Sequence, residues 1–172
     1  MSITLAPAHE KAFRQAMSCF PTGVSVITLG APERIGVTIS SLVSVSLDPL
    51  LVLFCLSNAS QSHKPFLRAA QDQQTVGITV LAQGQEAVSD RFTRHSIENW
   101  STTALLPQEA SDAPPLLSGG AAYLTGIFEH TYPGGDHTLF VCRVTSCVGM
   151  SDVAPLVYVH SGYRGGLAAH LI

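Results

Sequence analysis

Charge is scarce in this chain. Only 12% of its 172 residues are Asp, Glu, Lys or Arg, and the net charge is −3 with no basic block. Nucleic-acid binding needs a basic patch or stripe, and the sequence offers none. Long apolar runs are missing too: the longest, 49–56, falls far below the ~20 residues that cross a bilayer. Where an apolar signal segment would lie, the chain carries His9, Glu10, Lys11 and Arg14. Cys19, Cys55, Cys142 and Cys147 form no CxxC pair. These absences predict a cytoplasmic protein with reduced thiols and no membrane segment. Cys55 and Cys142 sit in strand-like runs and read as small buried hydrophobes. The histidines (9, 63, 95, 130, 137, 160, 170) show no HxH, no HExxH and no His/Cys spacing that suits a metal. GxGxxG and GxxxxGK(S/T) do not occur, nor does GxSxG, so dinucleotide, P-loop and serine-hydrolase fingerprints are excluded.

Apolar residues, at 46%, fill the space that charge leaves. A chain of this length builds one domain with a real core, here residues 1–172 with a loose tail over Met1 to Ala8. So apolar an exterior predicts burial of part of it in a partner, hence an oligomer. From His9 to Phe20 the apolar positions Phe13, Ala16, Met17 and Phe20 fall at i, i+3, i+4 and i+7, one face of a helix that Pro21 ends. Strands are predicted over Val24 to Leu29, Ile35 to Ile39, Val43 to Leu47, Leu50 to Leu56, Thr75 to Leu81, Tyr123 to Thr131, Thr138 to Val148 and Leu156 to His160. Leu50 to Leu56 is nearly continuous apolar and reads as buried on both faces. Short helices are predicted from Pro65 to Ala70 and from Gln83 to Thr93, with an irregular stretch over Arg94 to Gly120. The pattern is that of an antiparallel barrel of about seven strands, closed or nearly so, with helices attached.

Four stretches hold chemistry-bearing residues. In Gly36-Val-Thr-Ile-Ser-Ser41, strand alternation points Thr38 and Ser40 the same way, with Ser41 at the strand end. Such hydroxyls suit a phosphate or a polar ring edge, or simply an exposed strand face. Cys55-Leu-Ser-Asn-Ala-Ser-Gln-Ser-His-Lys64 leaves a strand and enters a helix. Ser60, Ser62 and Lys64 there suit an anion at a helix start, and Ser62 or His63 equally suits plain capping. Phe20-Pro-Thr-Gly-Val24 is a tight link that either presents Thr22 to a ligand or merely connects. Gly134-Gly-Asp-His137 is a turn that hands over to a strand, and His137 has no metal or triad role.

Together these stretches resemble the flavin reductase family, the small flavin-binding split-barrel proteins that serve two-component monooxygenases. The residues that carry the resemblance are Phe13-Arg-Gln-Ala-Met17, Phe20-Pro-Thr-Gly-Val-Ser-Val-Ile-Thr28, Gly36-Val-Thr-Ile-Ser-Ser41, Ser44-Val-Ser-Leu-Asp-Pro49 and Leu51-Val-Leu-Phe54. Val80-Leu-Ala-Gln83, Ser89-Asp-Arg-Phe92, Gly135-Asp-His-Thr138 and Pro155-Leu-Val-Tyr158 continue it, in order, to about Gly166. The resemblance implies an FMN-binding split β-barrel, mainly β, antiparallel and Greek-key-like, with a few short peripheral helices. It implies a homodimer with flavin, FMN or FAD, near the subunit boundary. Thr38, Ser40 and Ser41 would lie against the ring and ribityl chain, with Thr22 a further flavin contact. Cys55, Ser57, Ser60, Ser62, Ser89 and Phe92 would hold the phosphate end. Asp136, His137 and Tyr163 would meet NADH or NADPH.

The implied activity is hydride transfer from nicotinamide C4 to flavin N5, with reduced flavin passed to a partner monooxygenase. Both cofactors carry their own reactivity, so the protein's task is alignment and exclusion of water, without an acid, base or nucleophile. The chain departs from many relatives where a basic residue helps in the phosphate loop: Ala59 and Gln61 stand there, and the candidate cation is nearby Lys64 or the more distant Arg91. For a nicotinamide 2′-phosphate the candidates are Arg94, Arg143 and Arg164. Two other readings compete: a flavin-binding split barrel with an oxidase or electron-carrier role, and a non-enzymatic ligand-binding barrel.

Overall fold

Alternation and breakers set the strands. Val-Ser-Val-Ser-Leu, stopped by Asp48-Pro49, gives β4 over Val43–Leu47, as the sequence predicts. The computed structural model describes residues 7–93, 98–108 and 110–165. Their order is α1 (Glu10–Ser18), β1 (Thr22–Gly23), β2 (Ser25–Leu29), β3 (Gly36–Ile39), β4, β5 (Leu50–Ser57), α2 (His63–Gln71), β6 (Thr75–Val80), α3 (Glu86–Arg91) and α4 (Glu98–Ser101). β7 (Ala122–Gly134), β8 (His137–Gly149), β9 (Val157–Val159) and β10 (Gly162–Arg164) follow. The end of the resemblance at Gly166, the tail up to residue 6, and Arg94 lie outside the described residues. No described helix is long and apolar enough to cross a membrane.

Seven strands form one antiparallel sheet in the order β3-β2-β6-β7-β8-β5-β4. Its two edge strands, β3 and β4, are consecutive in the chain and joined only by residues 40–42. So short a link spans roughly 10 Å, and the sheet must therefore curl until its edges approach. Among the described residues no strand ladder closes the seam. β4 pairs only with Leu50 to Leu53 of β5. Past that point the β5 edge is met instead by Ser41, whose hydroxyl accepts from Cys55 N–H at 3.0 Å and donates to Cys55 C=O at 3.3 Å. The result is a split barrel. A second, three-stranded sheet, β1-β9-β10, lies beside it.

The barrel interior is aromatic. Phe54 and Phe140 stack with centroids 5.3 Å apart, and Phe66 of α2 meets Phe54 edge-on at 6.0 Å. Each such pair adds about 0.5–1.5 kcal/mol beyond area burial. A second cluster of Val24, Val26, Leu81, Phe92, Leu117 and Leu156 joins the barrel to the three-stranded sheet and α3.

Several expectations are corrected. β5 is not buried on both faces: Val52, Phe54 and Leu56 point inward while Leu51, Leu53 and Cys55 are half-buried. Its outer face carries part of the groove wall described below. α3 is shorter than Gln83 to Thr93, because Gly84 takes φ +90°, a left-handed conformation that no α-helix continues through. α2 starts two residues before Pro65, which sits in its first turn where a missing N–H costs nothing. β9 answers to the strand predicted over Leu156 to His160, while β1 and β10 are additional to those predicted. The stretch before β7 is tied down: Thr28 donates from its hydroxyl to Pro115 C=O at 2.7 Å, and Leu105 bridges Leu117.

Candidate functional site at the barrel seam

The open part of the β5 edge borders a cleft of about 370 Å³. Thr38, Ser40 and Ser41 form one wall, Cys55, Ser57 and Ser60 the other, and His137 and Thr93 complete it. The sequence brings them together for topological reasons. Thr38 lies one residue before the end of edge strand β3, Ser40 and Ser41 belong to the link across the seam, and β5 runs out along the facing side. His137 enters because β8 pairs with β5 to its last residue, Ser57↔His137.

A smaller compartment of about 180 Å³ adjoins the cleft. It is lined by Val24, Ser89, Tyr158 and Tyr163, and it shares Thr38, Ile39, Ser40 and Thr93 with the cleft. The two form one bent groove around the end of β3.

Hydroxyl chemistry in the groove is directional. Thr38 is engaged, donating its hydroxyl to Ser89 C=O at 2.7 Å and its N–H to Phe92 C=O at 2.9 Å; it fastens β3 to α3. Ser41 is engaged at the seam. Ser57 and Ser60 accept from the N–H groups of Ala59 and Ser62, at 3.3 and 3.2 Å, so each keeps its hydroxyl proton to donate. Ser40 is exposed, and its hydroxyl makes no hydrogen bond among the described residues.

His137 Nδ1 lies 2.7 Å from Asp136 Oδ1. The carboxylate can only accept, so Nδ1 carries the proton and Nε2 remains as the ring's other polar atom. The hydrogen bond and the charge of His137 hold the Asp136 carboxyl below its ordinary range. Asp136 itself is almost fully exposed and stands behind His137, outside the cleft lining. The Tyr163 hydroxyl donates to Asp90 Oδ1 at 2.7 Å and lies 2.9 Å from the Ser89 hydroxyl. Burial, then the Asp90 carboxylate, raises the Tyr163 phenol. Burial raises the Cys55 thiol, against a lowering by the Ser41 hydroxyl, so the groove wall presents a thiol rather than a thiolate.

Not every expected ligand residue reaches the groove. The Phe92 ring is buried, 5.0 Å from Trp100 and against Gly36, and serves the core. Ser62 is buried at the start of α2, and Thr22 pairs with Tyr158 in β1; neither is in the lining. Among the cations, Arg91 donates to Thr102 C=O and Thr103, Arg143 pairs with Glu129 at 3.4 Å, and Arg164 donates to Tyr163 C=O. Lys64 is exposed on α2. Thr93 and Tyr158 were missed by sequence reasoning. For Tyr158 a signal existed in the motif Pro155-Leu-Val-Tyr158; in the structure it lies directly opposite Tyr163, with rings 5.5 Å apart.

The hydroxyl walls and the two adjoining compartments fit a flavin with a second ring beside it, and no carboxylate stands among the described lining residues. An antiparallel split barrel with a hydroxyl-lined groove at its seam defines the class as the flavin-binding split barrels. Residues 17–167 match the flavin reductase like domain, and the chain belongs to that family. It is 36% identical over 138 residues to the FMN reductase (NADH) SmoA of Agrobacterium fabrum, covering 79% of this chain and 75% of that one. It is 31% identical over 157 residues to the reductase component of 4-hydroxyphenylacetate 3-monooxygenase of Thermus thermophilus, covering 90% and 95%. The solved NADH:FAD oxidoreductase SgcE6 of Streptomyces globisporus, in complex with NAD and FAD fragments, superposes with a TM-score of 0.84 at 31% identity. That match covers 96% of this chain and 97% of the other.

Proposed function

We propose that this chain is an NAD(P)H:flavin oxidoreductase that reduces FMN or FAD and supplies reduced flavin to a partner monooxygenase. The bent groove at the seam carries this reading. One arm offers hydroxyl donors from Ser40, Ser57 and Ser60, and His137 stands at its side with a single polar ring atom to spare. A flavin bound there supplies the hydride-accepting ring, and the reduced nicotinamide supplies the hydride.

The chain's own residues bind and orient. Thr38 and Ser41, held by backbone partners, fix the groove walls, so ring placement costs no side-chain ordering. Ser57 and Ser60 donate to polar oxygens of the flavin side chain. His137, held by Asp136, offers Nε2 to the nicotinamide carboxamide. Tyr158 and Tyr163 wall the smaller compartment.

The protein works as a cytoplasmic homodimer in this reading. Phe13, Met17 and Phe20 on and just after α1 are 62%, 49% and 62% exposed, and Val43, Val45 and Leu47 on edge strand β4 are exposed as well. Two apolar surfaces on one 172-residue chain favour a second copy as cover.

The test is oxidation of NADH and of NADPH with FMN or FAD added. Consumption that needs flavin is expected, and none with any pair removes the proposal. His137→Ala should raise the nucleotide KM about tenfold, the loss of one hydrogen bond to a charged or polar partner, and leave flavin affinity within about twofold. Collapse of flavin binding in that variant would instead make the turn a structural support.

A further inference from the structure

We propose that His63 is a positioning residue: through Thr138 and Asn58 it locks the loop that carries Ser57 and Ser60 to the turn that carries His137. The inference rests on the function proposed above, and it adds one device that ties the two arms of the site together.

β5 leaves the sheet after Ser57, so the following loop needs anchors of its own. Asn58 supplies them. Its N–H donates to Asp136 C=O at 2.9 Å and its Nδ2 to Gly135 C=O at 3.4 Å. With the amide nitrogen so engaged, Oδ1 is the acceptor, and it takes the Thr138 hydroxyl at 2.8 Å. Thr138 has one proton, now committed to Asn58. Its remaining contact, His63 Nε2 at 2.8 Å, must therefore be a donor. The direction of the whole chain is set: His63 Nε2–H to Thr138, Thr138 to Asn58, Asn58 to the turn. His63 is the first residue of α2, and its ring meets buried Phe140 edge-on at 6.3 Å, so the chain starts from the core.

Neither His63, Asn58 nor Thr138 lines the groove. Their neighbours Ser57, Ser60 and His137 do. Loss of the His63 donor leaves the Thr138 oxygen under-paired and lets the loop and the turn part. The effect falls on flavin and nucleotide together, unlike that of His137→Ala, which falls on the nucleotide.

The experiment compares His63→Leu, His63→Gln, Thr138→Val and the double variant His63→Leu/Thr138→Val. Steady-state kinetics with NADH and FMN are read alongside amide hydrogen exchange at Asn58. Gln places an N–H at the same bond count from Cβ as His Nε2. His63→Leu and Thr138→Val should each raise both KM values about fivefold to tenfold and quicken Asn58 exchange about tenfold, with kcat little changed. The double variant should be no worse than the worse single, since both break one chain. His63→Gln should return within about twofold of wild type. The proposal is overturned if the KM values and the exchange rate stay at wild type in His63→Leu, if the two substitutions add fully, or if His63→Gln is as damaged as His63→Leu. Should wild type show no flavin-dependent oxidation, the function proposed above fails, and exchange at Asn58 decides this proposal alone. Should His63→Leu fail to fold, Thr138→Val and His63→Gln still decide it.

Discussion

Cys142 shows what the barrel interior does to a single titratable group. It is fully buried on β8, opposite Val52, and burial pushes its thiol from the ordinary 9.0 up to about 12. The sign follows from linkage. Below pH 9 the thiol is protonated in both folded and unfolded chains and stability is intact. Between 9 and 12 only the unfolded chain releases the proton, so stability falls as pH rises through that window. The slope from this one group reaches at most about 1.4 kcal/mol per pH unit. Urea unfolding from pH 8 to 11 should show Cys142→Ala losing less stability with pH than wild type, from a lower start set by the lost side-chain packing. Equal slopes in the two proteins would mean that the thiol is solvated. The sequence made Cys142 legible as a buried hydrophobe because it lies in Leu-Phe-Val-Cys-Arg-Val. The resemblance assigns Phe92, in Ser89-Asp-Arg-Phe92, to the phosphate end; the structure buries its ring because Gly36, without a side chain, lets β3 settle on it.

At the scale of elements, the seam is the weak place, and Ser41 is its clasp. Ser41→Ala removes the acceptor from Cys55 N–H and leaves that half-buried strand edge unpaired. Stability should fall by about 1–2 kcal/mol in urea unfolding, and the flavin KM should rise, because the clasp is also the groove wall. A variant with normal stability and normal KM would show that β5 holds its line without it. Elements with strong local signals were legible in the sequence. Val43 to Leu47 alternates and ends at Asp48-Pro49; Phe13, Ala16, Met17 and Phe20 repeat at helical spacing. β1 and β10 were not, since two- and three-residue strands have no period to detect. The turn before β10 is built from His160 and Ser161, both with positive φ, residues that give no Asn-Gly or Asp-Gly signal. The closeness of Ser41 to Cys55 was illegible as well, because it depends on how the whole sheet curls.

For the whole molecule, the surface is the informative part. α1 has no buried residue, although its apolar face was plain in the sequence. Periodicity says that a face will be covered and leaves the cover unspecified. In a homodimer a second copy covers it. Phe13→Asp with Met17→Lys should shift the chain from dimer to monomer in light scattering, and flavin-dependent activity should fall with it if groove and interface adjoin. A wild-type chain that is monomeric at all concentrations would refute the dimer.

Residues 40–42 have a further consequence for how the chain tolerates change in length. Exposed connections usually accept insertions, and Ser40 is exposed. This one, however, acts as a ruler between the two sheet edges. Each added residue lengthens it by ~3.5 Å, relaxes the curl and widens the cleft at once. An inserted residue is better tolerated at an exposed turn such as that of Ser151 and Asp152. Within the link only exposed Ser40 is free to vary, and with it ligand preference, while Ser41 and the residue count stay fixed.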